Sequence, residues 1–263
     1  MPFTASHAAA VLPLMRWGLV PSALVIGSMS PDLPYFVPTP FHATTTHTVV
    51  GVISADVLLG GVAFAVWQTV LAPFAIAIAP TSLRNRLDPR LPVGLASHLR
   101  GWHQLSLLVA SLAVGAATHV AWDSFTHQGR WGTRHIGWLA GTHAGLPGFR
   151  WAQYASGIVG ATAILVWLAH WWRTSTPHPR IDPHRAPVAR GVAYAMWIFI
   201  GLATVVGGVL GSLPFVHEGP YLAAFMLATR GGGAGLIATL GCALGWLALP
   251  RRRAYAGPLP PHR

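Results

Sequence analysis

Negative charge is almost missing from this chain. Six acidic residues stand against seventeen basic ones among 263, every basic residue is arginine, and there is no lysine. Charged residues make up 9% of the chain and hydrophobic ones 53%, with a mean hydropathy of +0.50. A soluble domain carries roughly 25% charged residues, so the composition excludes an ordinary soluble fold and reads as a membrane protein. The lack of lysine fits a base-composition habit of the genome better than a chemical need. A single cysteine, Cys242, excludes a disulfide framework and a thiolate zinc site. The formal charge of +11 would suit nucleic acid, but the arginines fall in short loops between apolar runs. That is the positive-inside pattern, not a basic patch interleaved with aromatics, and no nucleic-acid partner is expected. No phosphate-cradling glycine loop, nucleophile elbow or dinucleotide fingerprint occurs. Gly231 to Gly233 follow an apolar stretch with no strand before them.

What is present is a series of long apolar runs. A spanning helix needs about 20 apolar residues, and five runs qualify: Thr48 to Ala79, Leu105 to Phe125, Ala155 to Trp172, Gly191 to Leu213 and Tyr221 to Leu249. Pro73 should kink or end the first. Arg230-Gly231-Gly232-Gly233 should split the last into a short helix, a break and a span from about Ala234. His7 to Ile26 is apolar but broken by Pro13, Arg16 and Pro21, with no basic stretch ahead of it. It reads as an interfacial or half-buried helix, not a cleaved signal. The expected fold is all-α, a polytopic helix bundle in one integral membrane domain over 1–263. Its parts are a ligand-bearing segment 1–47, core helices 48–172, a cytoplasmic loop 173–190, and C-terminal helices with a basic tail 191–263.

Arginine orients this bundle. The Pro80–His103 loop, the Arg173–Arg190 loop and the Arg251–Arg263 tail hold four each, whereas the alternate segments hold one, three and none. The rich segments, and with them the C-terminus, are expected in the cytoplasm of a bacterial inner-membrane protein. Trp102, Trp122, Trp171 and Trp172 lie near run ends, as interfacial belts do.

One of the six acids ends an apolar run, in Thr118-His119-Val120-Ala121-Trp122-Asp123-Ser124-Phe125-Thr126-His127. His119, Asp123 and His127 are spaced four apart, so on a helix they share one face. Imidazole and carboxylate both ligate zinc or a similar divalent ion, and an acid near lipid is costly without a partner. Ser111 and Gly115 continue the stripe and let another helix approach, which points this face into the bundle. Three further pieces could join it near the outer face: Ser6-His7, the Pro31-Asp32-Leu33-Pro34 loop and Thr46-His47-Thr48.

Two stretches carry a family resemblance. They are Met1-Pro2-Phe3-Thr4-Ala5-Ser6-His7 through Pro13, and Ser22 to Asp32. With His47, Gly51 and Asp56, the His119–His127 stripe, and Gln153, Ser156 and Gly160, they resemble a bacterial membrane family named domain of unknown function 4184. More remotely, the order of histidines and aspartates looks like that of the zinc-dependent phospholipase C and nuclease fold, and like membrane proteins described as metal-dependent hydrolases. That resemblance implies His7, Asp32, His47, His119, Asp123 and His127 as metal ligands, with Asp32 or Asp123 as ligand or catalytic base. The soluble enzymes continue with a His-x-x-x-Glu pair, but His135 and His143 have no glutamate after them, and Glu218 is far downstream. One or two ions, zinc being the expected metal, fit better than three.

Arg130 and Arg134 follow the stripe; a plain membrane-surface role suits them first, and holding a phosphate or anionic headgroup is the alternative. Gln153 is implied by resemblance as a partner to a ligand. Asp56, nine residues after His47, would sit half a turn out of phase on a continuous helix. It is therefore expected outside the ligand set, as a second-layer residue or in an ion pair with Arg16 or Arg230. His42, His98, His103, His135 and His143 read as solvated. The leading expectation is a membrane-embedded hydrolase of a lipid or isoprenoid phosphoester, with membrane lipid as its environment. Its rivals are a metal-ion transporter or metal-stabilised scaffold, and a metal-dependent prenyl diphosphate lyase or cyclase.

Overall fold

The computed structural model describes residues 4–88, 91, 93–178 and 188–249. The basic tail from Arg251 to Arg263, Arg90, and Arg180 and Arg185 of the 173–190 connection lie outside the described residues, so the topology expectation loses much of its charge count there.

Five helical segments are long and apolar enough to cross a membrane: Val49–Ile78, Trp102–His135, Gly148–Thr174, Arg190–Glu218 and Pro220–Ala248. This is a mostly helical, multi-pass architecture, as only helices and closed barrels satisfy the backbone in lipid. The helices used below are α1 (Pro21–Met29), α2 (Val49–Ile53), α3 (Ala55–Val66), α4 (Ala72–Ile78), α5 (Trp102–Thr126), α6 (Gly148–Thr174), α7 (Arg190–Ser212) and α8 (Pro220–Ala248). A small hairpin also forms, β1 (Thr142–His143) on β2 (Leu146–Pro147), where Ala144 and Gly145 both take positive φ at its turn.

No helix of the N-terminal segment is long enough to cross a membrane. Thr4–Val11 and Pro13–Arg16 are 3-10 turns, and Pro21 then starts α1 at its first position, where a missing N–H costs nothing. Thr4–Val11 packs on α6, α1 and α5, and α1 packs on α5. A Cβ on Gly27 would collide with the Leu112 carbonyl, and one on Gly115 with that of Leu24, so the two backbones touch. Ala23, Phe64, Leu108 and Leu112 form the apolar cluster beside that contact.

Two expectations about continuity are corrected. Of the two outcomes expected at Pro73, a kink or an end, the end is excluded: a π-helical turn at Trp67–Leu71 runs straight into α4. The break lies earlier, at Ser54 between α2 and α3, where φ is −123° and ψ −84°. Nor does the Arg230–Gly233 run interrupt α8. Its glycines are packing surfaces: a Cβ on Gly231 would come 2.8 Å from the Thr204 carbonyl oxygen, and one on Gly233 would meet that of Phe36. Helix α6 begins already at Gly148, ahead of its apolar run.

Candidate metal centre

Each ligand segment is held by its own local chemistry. Pro31 and Pro34 start successive turns, Ser30–Asp32 and Leu33–Phe36, and fix the backbone on both sides of Asp32. Thr46 Oγ1 donates to the Pro31 carbonyl at 2.7 Å and ties the His47 segment to the Asp32 turn. Thr48 caps α2 by accepting from Gly51 N at 2.9 Å, which leaves His47 at the junction of two helical turns. On α5 the stripe Ser111, Gly115, His119, Asp123 is buried and faces α1.

Four atoms then meet. His47 Nε2 lies 3.4 Å from Asp32 Oδ1 and 3.3 Å from Asp123 Oδ2; His119 Nε2 lies 3.5 Å and 3.4 Å from the same two oxygens. The result is a closed ring of alternating nitrogen and oxygen, its four residues at most 5% exposed. All four of these atoms lack a hydrogen-bond partner. Charge-assisted N–H···O bonds run about 2.7–2.9 Å, so the ring is too wide for a set of hydrogen-bonded ion pairs. A tetrahedral ion with bonds of about 2.0–2.2 Å spaces its ligand atoms by roughly 3.3–3.6 Å. The four nitrogen–oxygen edges of the ring, out of the six that a tetrahedron has, match that spacing.

The outward-facing atoms agree. His119 Nδ1 is 2.8 Å from the Ser28 carbonyl oxygen, and His47 Nδ1 is 2.8 Å from that of Ala43. A carbonyl only accepts, so each Nδ1 carries a proton and leaves Nε2 as the nitrogen that would give its lone pair to an ion in the ring, the arrangement that orients metal-bound imidazoles. Asp32 Oδ2 accepts from Thr4 Oγ1 at 2.6 Å. Four orphaned buried atoms at this spacing fit a divalent ion, since burying so many polar groups otherwise costs several kcal/mol.

A looser set lies beside the ring around the other oxygen of Asp123. His7 Nε2 is 3.6 Å and His127 Nδ1 3.4 Å from Asp123 Oδ1. His7 stacks on His119 with ring centroids 4.0 Å apart, and its Nδ1 has no partner. Gln153 Nε2 sits 3.0 Å from His127 Nε2. In that pose the amide donates and leaves the His127 proton on Nδ1. For His127 to offer Nδ1 to a metal, Gln153 must present its oxygen instead. His7–His119–Asp123 and Asp32–His47–His119 are the two buried triads that could hold metal ions.

Electrostatics outside the spans follow from this crowding. Burial, helped by the nearby His119, pushes the His7 imidazole down to about 4 and keeps it neutral. Burial would raise Asp32, but the His119 and His47 imidazoles outweigh it and hold the carboxyl well below its usual range. Burial would lower His47, yet Asp123 and Asp32 outweigh it and raise the imidazole.

The centre opens on a cavity of about 290 Å³ lined by Tyr35, His47, Asp123, His127, Gln128, Arg130, Phe149, Arg150 and Tyr221. Arg130 Nη1 donates to the His47 carbonyl at 2.8 Å and straps the ligand segment. Arg134 is exposed and does not line the cavity, because Trp131–His135 turns it outward. Arg150 takes that second place, its guanidinium 3.8 Å over the Tyr221 ring. Sequence reasoning passed it over as one more loop arginine; its position two residues past Gly148, at a helix start on the same side as Arg130, was the available signal.

Asp56 is fully buried, and neither carboxylate oxygen has a partner. The expected ion pair with Arg16 or Arg230 is absent among the described residues, and the continuous-helix phase argument fails because Ser54 breaks the helix. His98 is corrected as well: it is 8% exposed and edge-on to Phe64 at 5.1 Å, not solvated.

No curated protein and no solved structure matches the chain. Residues 1–243 match the family described as Domain of unknown function (DUF4184), which covers every segment of the centre. The chain belongs to that family.

Proposed function

We propose that this chain is a membrane-embedded, metal-dependent hydrolase of a lipid or isoprenoid phosphoester, working near the outer face of a bacterial inner membrane with the C-terminus in the cytoplasm. The observation that carries the reading is the ring of four orphaned ligand atoms, two of whose residues, His47 and Asp123, also line the arginine-bearing cavity. When bound, a divalent ion such as zinc supplies a water of lowered pKa and a Lewis acid for phosphate oxygens. Asp32, His47, His119 and Asp123 would hold one ion, and His7, His127 and the second oxygen of Asp123 could hold another. Asp123 faces both sets, and as a ligand it would help hold both ions. Arg130 offsets negative charge on a phosphate entering the cavity.

The metal-stabilised scaffold remains the second reading, because structural sites are closed by four protein ligands and the ring has four. A transporter is less well supported, since the ligands gather at one end of the bundle and none lies on α6 or α7. Metal analysis of detergent-purified protein, with phosphate release from lipid phosphoesters before and after chelation, separates these readings. Hydrolysis lost on chelation and restored by zinc is expected. Bound metal without turnover favours the scaffold, and absence of metal overturns both.

A further inference from the structure

The cavity over the centre is built from the ends of elements that do not otherwise meet. Phe149 and Arg150 lie in the first turn of α6, and Tyr221 in the first turn of α8. Below those turns the two helices part. Helix α6 packs on the Thr4–Val11 segment and α5, and α8 packs on α7, the π-helical turn and Leu33–Phe36, but α6 and α8 are not packed on each other. Arg150 over Tyr221 is the stack that joins them, at the cavity. Among the described residues, packing between α6 and α8 therefore does not close the side of the cavity below that stack.

The cavity's charge is one-sided. Among the described residues neither Arg130 nor Arg150 pairs with a carboxylate; the ion pairs all join histidine to aspartate. The one acid lining the cavity, Asp123, is turned to the imidazoles. Two unpaired guanidiniums suit a group with two negative charges. A terminal phosphate carries about −1.5 to −2 at neutral pH, whereas a diester carries one.

Resting on the hydrolase reading for its chemistry but not for its binding, we infer that this cavity takes the terminal phosphate group of a membrane lipid, held by Arg130 and Arg150, with the apolar chain leaving between α6 and α8. The substrate class is thus a lipid phosphomonoester, not a diester headgroup. Its hydrolysis breaks the phosphorus–oxygen bond to the lipid: water adds its oxygen to phosphorus, the lipid oxygen takes a proton, and inorganic phosphate is released.

The test measures binding to zinc-loaded full-length protein in neutral detergent, with dioleoyl phosphatidic acid, dioleoyl phosphatidylglycerol and inorganic phosphate as probes. Phosphatidic acid should bind at least about tenfold tighter than phosphatidylglycerol and should displace inorganic phosphate. Loss of one charged hydrogen-bond donor is worth about tenfold to a hundredfold in affinity, so Arg150→Gln should weaken phosphatidic acid by that factor with its zinc content unchanged. Arg150→Lys, which keeps the charge but not the fork, should recover part of it. Equal affinity for the two lipids overturns the phosphomonoester assignment. Phosphate binding that the lipid cannot displace overturns the lateral route. Arg150→Gln within twofold of the parent, at unchanged zinc content and melting temperature, overturns the site. Arg150-dependent lipid binding without any turnover would leave the site standing and sink the hydrolase reading instead.

Discussion

Two helix contacts in this protein use the same small-residue packing and come to different ends. Helices α1 and α5 touch through Gly27 and Gly115, and α7 and α8 touch through Gly208 and Gly231. Small residues bring backbones together where lipid supplies no hydrophobic drive. In the α7–α8 pair the hydroxyls of Thr204 and Thr229 bond back to their own helices, at 2.8 Å to the Ile200 carbonyl and 2.9 Å to that of Phe225. In the α1–α5 pair the polar groups cross: Ser111 Oγ accepts from Val20 N at 2.9 Å, and His119 Nδ1 meets the Ser28 carbonyl at 2.8 Å. An apolar contact can slide by a few tenths of an ångström, but a crossed hydrogen bond cannot. The first contact only holds helices together, while the second sets the position of a ligand nitrogen.

The strongest way to break the comparison is at the shared ligand. Asp123 offers one oxygen to the ring and the other to His7 and His127, so Asp123→Ala should lose most of its metal, leaving at most a weakened site on Asp32, His47 and His119. His127→Ala touches only the looser set and should retain one ion per chain. Plasma emission analysis of both variants reads this directly; full metal content in Asp123→Ala would sink the centre.

The glycine pairs test the contacts themselves. Gly115→Ala drives a Cβ into the Leu24 carbonyl, and Gly208→Ala places one 2.8 Å from the Leu227 carbonyl oxygen. Overpacking of this kind costs about 1–3 kcal/mol, so both should lower the melting temperature. Only Gly115→Ala should also lower metal content, because it displaces His119. Equal metal loss in both would mean that the α1–α5 register has no special hold on the centre.

A smaller effect follows from pH. In metal-free protein the raised His47 keeps a proton above the ordinary histidine value, whereas His7, pushed down to about 4, is already neutral at pH 7. Metal uptake must expel the His47 proton and none from His7. Affinity should therefore fall as pH falls, by up to about tenfold per unit for one displaced proton. Titration calorimetry of zinc binding in buffers of different ionisation enthalpy should show more proton release below the ordinary histidine range than above it; equal release at both would contradict the assignment of His47.

Much of this was legible in the sequence, for reasons that differ by residue. The spacing of His119 and Asp123 places them on one helical face whatever they touch, and apolar run length fixes the five spans. His7, Asp32 and His47 could be nominated only as a set, since their convergence depends on 3-10 turns and on the Thr46–Pro31 tie. The helix break at Ser54 carries no proline or glycine, so periodicity could not reveal it. The glycines after Arg230 looked like a breaker because the surfaces they fit, Thr204 and Phe36, are remote in sequence. Arg150 was hidden for the same reason: its role depends on Tyr221, which belongs to another helix.

The weakest expected effect concerns the one buried acid that joins neither contact. Asp56 lies in the first turn of α3, fully buried, with both oxygens unpartnered and no arginine beside it among the described residues. A buried charge with no counter-ion is far costlier than a buried neutral carboxyl. Asp56→Asn keeps the shape and removes only the capacity to ionise. Metal content should stay at the parent value and stability should change by no more than about 1 kcal/mol, within the range of a neutral polar swap. If metal were lost, Asp56 would be supporting the ring through a contact absent from this structure. The division between the acids that meet at the centre and the one that stands apart would then fail.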